Sequence, residues 1–268
     1  MSTLAVGTER TTDLAASTLV IARRAVLRFL RTPQLIVLGT IQGAMFLLIF
    51  RYVFGGAIGV AGLRYVDFLV PGFLTTGVLF TGMGAATAMA EDLEQGFVDR
   101  LRSLPIRRTS VIAGRALADT AMHAWSIAIT VAIGFAVGFR LHASAPDALA
   151  AFGLLVAFAF AFEWVFVTLG LFAGSAQAAQ GLALLVFPLT FVSSAYVPVQ
   201  TMPGWLQGFA AHQPLTYMVD AVRALTQGSG VEAVLGHGAG FYVVRSLLWA
   251  AGIIAVFAPL AVARFRRG

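Results

Sequence analysis

Glu91-Asp-Leu-Glu-Gln-Gly-Phe-Val-Asp-Arg-Leu-Arg-Ser-Leu-Pro-Ile-Arg-Arg108 is the longest charge-rich insert in a chain that is otherwise apolar. Leu93, Phe97, Leu101 and Leu104 recur at spacings of four, four and three, which sets them along one helical face. Acids crowd the start of the stretch and arginines its end, the polarity a helix dipole favours. Pro105 stops the helix, and Arg107 and Arg108 follow as a cluster suited to an anionic membrane surface. The spacing predicts a short helix over 91–105 with an apolar face to dock.

On either side of this insert lie runs long enough to cross a bilayer, since about 20 apolar residues span roughly 30 Å of hydrocarbon. Residues 66–90 form one, with Asp67 and Pro71 in its first turns, where a proline costs least. Residues 111–139 form the other. Composition agrees: 59% of the 268 residues are hydrophobic and 11% charged, well below the quarter or so usual in soluble domains. The basic residues are all arginine, and the formal net charge is +6. They flank apolar runs rather than forming a basic face, so nucleic-acid binding has no support. With no cysteine, disulfides and thiolate chemistry are excluded.

Working outward, residues 1–17 read as a flexible polar tail, and 18–268 as a single transmembrane domain. Within 18–32, Leu19, Val26, Phe29 and Leu30 oppose Arg24, Arg28 and Arg31. That is either an amphipathic interface helix or a basic flank that orients the first span. Span one covers 35–54, and 66–90 is span two. Span three opens with Arg115, Asp119 and His123 at i,i+4 spacing on one face, which reads as a self-neutralising charge ladder or as a proton relay. Span four, 148–172, carries Glu163 near its centre, where a carboxylate must be protonated, paired or facing water. Function is the default suspicion for such a group, and packing against another span is the plainer role. Gly174 to Gly181 is expected to be an uncharged inner turn, after which span five continues to about 197.

Residues 198–228 are too polar and too broken by Pro198, Pro203 and Pro214 to span, yet too apolar for a free loop. Two short helices, 204–211 and 215–225, hinged at His212-Gln213-Pro214, are expected to dip into the outer leaflet and return. Backbone of this kind survives at membrane depth only when packed in protein. Span six covers 243–263. Thirteen arginines then fall on one side of the membrane and five on the other, which places both termini and the charged insert in the cytoplasm. The reading is an all-α integral membrane protein of six spans, with an N-terminal interface helix, a cytoplasmic helix between spans two and three, and an outer re-entrant hairpin between spans five and six.

No phosphate-binding loop is present, and with no lysine none can form. The four histidines are scattered, so catalytic and metal sites are read as none. Glycine pairs such as Gly39 with Gly43, Gly134 with Gly138 and Gly170 with Gly174 are weak signals for close helix approach.

Two longer patterns carry a resemblance. The first is Glu91-Asp-x-Glu-x-Gly-x-x-x-x-Leu-Arg-x-x-Pro-Ile-x-Arg108. The second is Phe187-Pro-Leu-x-Phe-x-Ser-x-x-x-x-Pro198, continuing through Met202-Pro-x-Trp205, Pro214-Leu-x-Tyr217 and Arg223. Together they resemble the membrane subunit of a type-2 ABC exporter, of the kind that includes the daunorubicin-resistance permeases. The chain departs at Ser193-Ser194-Ala195, where a Ser-Gly pair is common.

The resemblance implies that Glu91, Asp92, Glu94, Phe97, Arg100, Leu101 and Leu104 form a coupling helix seated on an ATPase subunit. It implies that Pro203, Trp205, Pro214, Tyr217 and Arg223 belong to an outer hairpin. Two copies of an ABC ATP-binding subunit would bind ATP and Mg, and this chain would bind no cofactor. A second permease copy or a homologous permease would complete the assembly in the plasma membrane, among membrane lipids. The path for a hydrophobic or amphiphilic cargo is expected along Met45, Phe46, Thr75, Thr76, Met83, Phe191 and Ser194. The alternative is a proton-coupled secondary transporter using Glu163, Asp119 and His123.

Overall fold

The computed structural model describes residues 41, 43–60, 62–96 and 108–267. The tail, the interface helix, the start of span one and the charged insert beyond Gly96 lie outside the described residues. Among the described residues the chain is helical, with no strand. The helices are α1 (Gly43–Phe54), α2 (Tyr65–Glu94), α3 (Arg108–Ala136), α4 (Ala145–Ala173), α5 (Ala176–Leu184), α6 (Phe187–Phe191), α7 (Gly204–His212), α8 (Pro214–Gln227), α9 (Glu232–Leu235) and α10 (Ala239–Arg267).

Four of them are long and apolar enough to cross a membrane: α2, α4, and the stretches Gly114–Ala136 of α3 and Ala239–Phe265 of α10. The chain is thus a multi-pass membrane protein. Of the other two expected spans, the first is described only in part, as α1, whose last turn, Phe50–Phe54, is π-helical. The second differs in form. Span five is not one rod: it breaks between Leu184 and Phe187, where Pro188 offers no donor to Leu184 O, and it unwinds after Phe191. The expected inner turn shrinks as well. Gly174 caps α4 with φ +74°, Ser175 accepts from Ala178 N at 3.1 Å, and helix resumes at Ala176.

Helix α4 is the axis. Ser144 caps its start by accepting from Asp147 N, and Leu155, Phe158, Phe162 and Phe166 are buried along it between α2, α3, α8 and α10. Lipid offers no hydrophobic drive for helices to associate, so close packing and polar contacts hold such a bundle. Gly170 shows the first: a Cβ there would stand 2.5 Å from Ala86 O and 2.8 Å from Met89 Cβ on α2. The hairpin shows the second. Its helices run Gly204–His212 and Pro214–Gln227, and α8 is buried from Leu215 to Gln227, packed against α2, α4 and α10.

Candidate coupling and translocation site

Three groupings of functional side chains stand out. The first fixes α8 and the unwound end of α6 to the start of α2. Arg223 is fully buried, and its guanidinium donates to Phe68 O at 3.2 and 3.0 Å, to Ser194 O at 2.8 Å and to Asp220 Oδ1 at 2.6 Å. It also lies 3.6 Å from the centre of the Phe68 ring. Asp220 in turn accepts from Ser194 Oγ at 2.8 Å. Phe68 O and Ser194 O come within reach of one guanidinium because the chain after α6 passes close to the first turns of α2. A Cβ on Gly72 would strike Ala195 O at 2.0 Å, so a residue without a side chain is needed for that approach. Next to this lock, Asp67 accepts from Arg140 N at 3.0 Å and pairs with Arg64 at 2.7 Å. His142 and Arg140 meet Gln227 from the α3–α4 turn, so one end of the bundle is closed by polar contacts.

The second grouping runs from the charged insert into the bundle. Asp92, at the end of α2, pairs with Arg115 on α3. Arg115 Nε also lies 3.5 Å from Asp119 Oδ2. One turn on, His123 Nε2 is 3.3 Å from Glu163 Oε2, and Asp119 is in electrostatic contact with Glu163. The ladder expected on one face of span three therefore continues across to α4, and Glu163 has the partners that its own depth in the sequence did not reveal. Glu94 Oε1 accepts from Ala176 N at 3.3 Å, while Glu91 is exposed. Phe97, Arg100, Leu101 and Leu104 of the expected coupling helix lie outside the described residues.

The third is a row of aromatic rings that sequence reading missed. Phe54, Phe50, Tyr196, Phe191, Phe187 and Phe80 follow one another with centroids 4.7 to 5.4 Å apart. Phe54, Phe80 and Phe191 are 43%, 39% and 47% exposed, so both ends of the row and Phe191 reach the surface of the chain while Tyr196 is buried between them. The i,i+4 spacings of Phe50 with Phe54 and of Phe187 with Phe191 were its visible signs. Met45 and Phe46 are exposed on α1 and Met83 is half-buried on α2. Thr75, Thr76 and Ser194 are buried: Thr75 donates to Pro71 O, Thr76 accepts from Tyr196 O–H at 3.1 Å, and Ser194 holds Asp220. The seven residues expected along a path thus divide into an exposed set and a packed set.

In the hairpin, Pro203 and Trp205 are exposed, and Pro214 opens α8 at the hinge. Gln213 donates to Leu189 O at 3.1 Å and to Val192 O, capping the carbonyls freed where α6 ends. Tyr217 O–H accepts from Arg245 at 3.2 Å. Leu189, Phe209, His212, Gln213, Pro214 and Trp249 line an open crevice of about 270 Å³ beside the hinge. Among the described residues no three His, Asp or Glu side chains are grouped to hold a metal ion.

Residues 16–226 match the family described as ABC-2 type transporter. The chain is similar to the daunorubicin resistance ABC transporter permease protein DrrB1 of Streptomyces coeruleorubidus, 32% identical over 91% of this chain and 83% of the relative. It is also similar to a probable doxorubicin resistance permease, DrrC, of Mycobacterium tuberculosis, 26% identical over 92% and 87%. A putative transport permease, ycf38, of Pyropia yezoensis is 29% identical over 75% and 71%. The chain belongs to the ABC-2 type transporter family, whose members are membrane permease subunits served by an ATPase in a partner subunit.

Proposed function

We propose that this chain is the transmembrane subunit of an ATP-driven exporter that moves a hydrophobic or amphiphilic cargo across the plasma membrane. The observation that carries the reading is the continuity of α2. Its 30 residues run unbroken from the Arg223 lock to Glu91, Asp92 and Glu94, where the charged insert begins. At 1.5 Å per residue such a rod is about 45 Å long, so a push at the insert is delivered at the far end. Along the way α2 carries Phe80 and Met83, next to the ring row.

Two ATPase subunits beneath two permeases would supply that push by closing on ATP and Mg. A second copy of this chain, or a homologue, would close the exposed aromatic face into a path. Aromatic and apolar lining suits cargo with flat or greasy surfaces, and the names of the similar permeases refer to daunorubicin and doxorubicin resistance. Both termini face the cytoplasm in this reading, since the arginine excess lies on the side of the insert.

The test is co-expression with the ATPase subunit and comparison of wild type with Glu94→Arg combined with Leu101→Asp. If the variant inserts normally but loses the partner or its stimulated ATP hydrolysis, the insert is the coupling element. Unchanged co-purification and hydrolysis would refute that role. Asp119, His123 and Glu163 also stand together as a proton-coupled carrier requires, and transport that persists without the ATPase would favour that second reading.

A further inference from the structure

The chain of side chains from Asp92 to Glu163 is unusual in how incompletely it is satisfied. Among the described residues, eight buried side-chain N or O atoms lack a hydrogen-bond partner. Five of them belong to this one locality: Arg115 Nε and Asp119 Oδ2, which face each other as an ion pair at 3.5 Å without hydrogen-bond geometry, and His123 Nδ1, Glu163 Oε1 and Trp164 Nε1. Leaving buried polar atoms unpaired costs free energy, so a cluster of them marks a place with a job other than packing.

Counting charge sharpens the point. Three carboxyl groups, Asp92, Asp119 and Glu163, share one guanidinium, Arg115, and one imidazole, His123. Arg115 is committed to Asp92 and Asp119, whose side chains keep 27% and 14% exposure. Glu163 and His123 keep 0% and 3%. A bare carboxylate beside a neutral imidazole at that depth would be an uncompensated buried charge. One proton on the carboxyl, beside a neutral imidazole, makes the pair neutral. Among the described residues the side chains packed nearby are apolar, Ala261 and Phe265 of α10 and Met89 of α2; α5 has no titratable residue, and the α10 cation Arg264 lies over the Phe172 ring.

We propose that Glu163 and His123 together bind one exchangeable proton, and that Asp119 and Arg115 connect this site to Asp92 at the base of the charged insert. The proton enters and leaves through the partly exposed Asp119, the only acid between Glu163 and the surface along this chain of contacts. When it leaves for water, the Glu163 carboxylate faces that of Asp119, and both draw Arg115 away from Asp92. When it returns, Arg115 is released to hold Asp92. The two contacts are thus linked, and linkage is reciprocal: whatever grips Asp92 alters proton affinity at Glu163. That the insert is the coupling element rests on the proposed function; the proton site does not.

The experiment uses the permease alone in lipid nanodiscs, with infrared difference spectra recorded across about pH 5 to 9, the range in which such a pair exchanges a proton. The expected result is a carboxylic-acid C=O band that titrates in wild type and is lost in Glu163→Gln. Glu163→Asp, which keeps the group should the first variant fail to insert, retains the band with a shifted midpoint. Asp92→Asn leaves Arg115 uncompensated and lowers the midpoint. Arg115→Gln removes the cation and raises it. A threefold change in proton affinity in each direction, about half a pH unit, is the size sought.

A merely structural role would not move the midpoint in opposite directions for two partners of one ion pair. The proposal is overturned if the wild-type band is absent or survives Glu163→Gln, or if Asp92→Asn and Arg115→Gln shift the midpoint alike or not at all. Because the ATPase is not in the sample, the result stands apart from the coupling reading. A site that titrates as described beside partner-stimulated hydrolysis unaffected by Glu94→Arg with Leu101→Asp would retain the proton and remove the lever.

Discussion

Replacing Arg223 by methionine tests whether the buried lock is held by its charge or only by its packing. The guanidinium makes four hydrogen bonds, two to Phe68 O and one each to Ser194 O and Asp220 Oδ1, with no exposure to solvent. Methionine fills much of the same volume but leaves Asp220 with Ser194 Oγ alone and both carbonyls without their donor. Breaking a buried pair by removing one partner costs about 3–5 kcal/mol, most of it the stranded carboxylate.

If that accounting is right, Arg223→Met combined with Asp220→Leu should recover a large part of the loss, because no charge remains to be stranded. Arg223→Lys should fall between wild type and the single variant, since an ammonium cannot fork across Phe68 O and Ser194 O at once. Equilibrium unfolding in mixed SDS and nonionic-detergent micelles, followed by tryptophan fluorescence, reads all three. The reasoning is refuted if Arg223→Met unfolds within about 0.5 kcal/mol of wild type, the range of an ordinary surface change. It is equally refuted if the double variant is no more stable than the single.

Gly170→Ala places a Cβ against the Ala86 carbonyl and should cost about 1–3 kcal/mol by forcing α2 and α4 apart, measured in the same unfolding assay. Asp67→Asn keeps the size of the side chain but loses the charge paired with Arg64 and shared with Arg140 N. It should destabilise by about 1–2 kcal/mol, and the effect should shrink in an Arg64→Ala background. Phe191→Ala, at a ring 47% exposed, should leave unfolding within about 0.5 kcal/mol of wild type while reducing cargo transport in reconstituted vesicles. Equal transport would exclude the ring row from the path.

Legibility in the sequence followed the kind of signal. Helices α2, α4 and α10 begin and end within a few residues of the apolar runs 66–90, 148–172 and 243–263, because length and hydropathy alone set them. The hairpin helices end within two residues of expectation, because Pro203, Pro214 and Gly228 fix where helix can start and stop. Span five could not be read as broken: its apolar run is continuous, and Pro188 near the start of a helix is compatible with helix. The ladder of Arg115, Asp119 and His123 was visible because its members share a helix. Its continuation to Asp92 and Glu163 was not, because contacts between helices depend on rotation about the helix axis, which periodicity leaves free. Asp220 and Arg223 show the same limit. Their i,i+3 spacing is plain, but nothing in it says that both point into protein toward Phe68 and Ser194.

The two buried polar clusters lie at opposite ends of α2 and differ in one physical respect. At the Phe68 end every Arg223 nitrogen has a partner, and so does the carboxyl oxygen that meets it. A fully satisfied network has one best arrangement and resists leaving it. At the Asp92 end, His123 Nδ1 and Glu163 Oε1 lack a hydrogen-bond partner and Arg115 Nε meets Asp119 Oδ2 only at 3.5 Å, so several arrangements lie close in energy. A rod held firmly at one end and loosely at the other pivots at the firm end. The charged insert adjoins the loose end, where a small displacement only exchanges partners among side chains whose pairing is incomplete. Native-state hydrogen exchange should therefore find slower amides over Phe68–Phe73 than over Ala86–Ala90 of the same helix. Equal protection at both ends, or the reverse order, would remove the pivot from this account and leave α2 as packing alone.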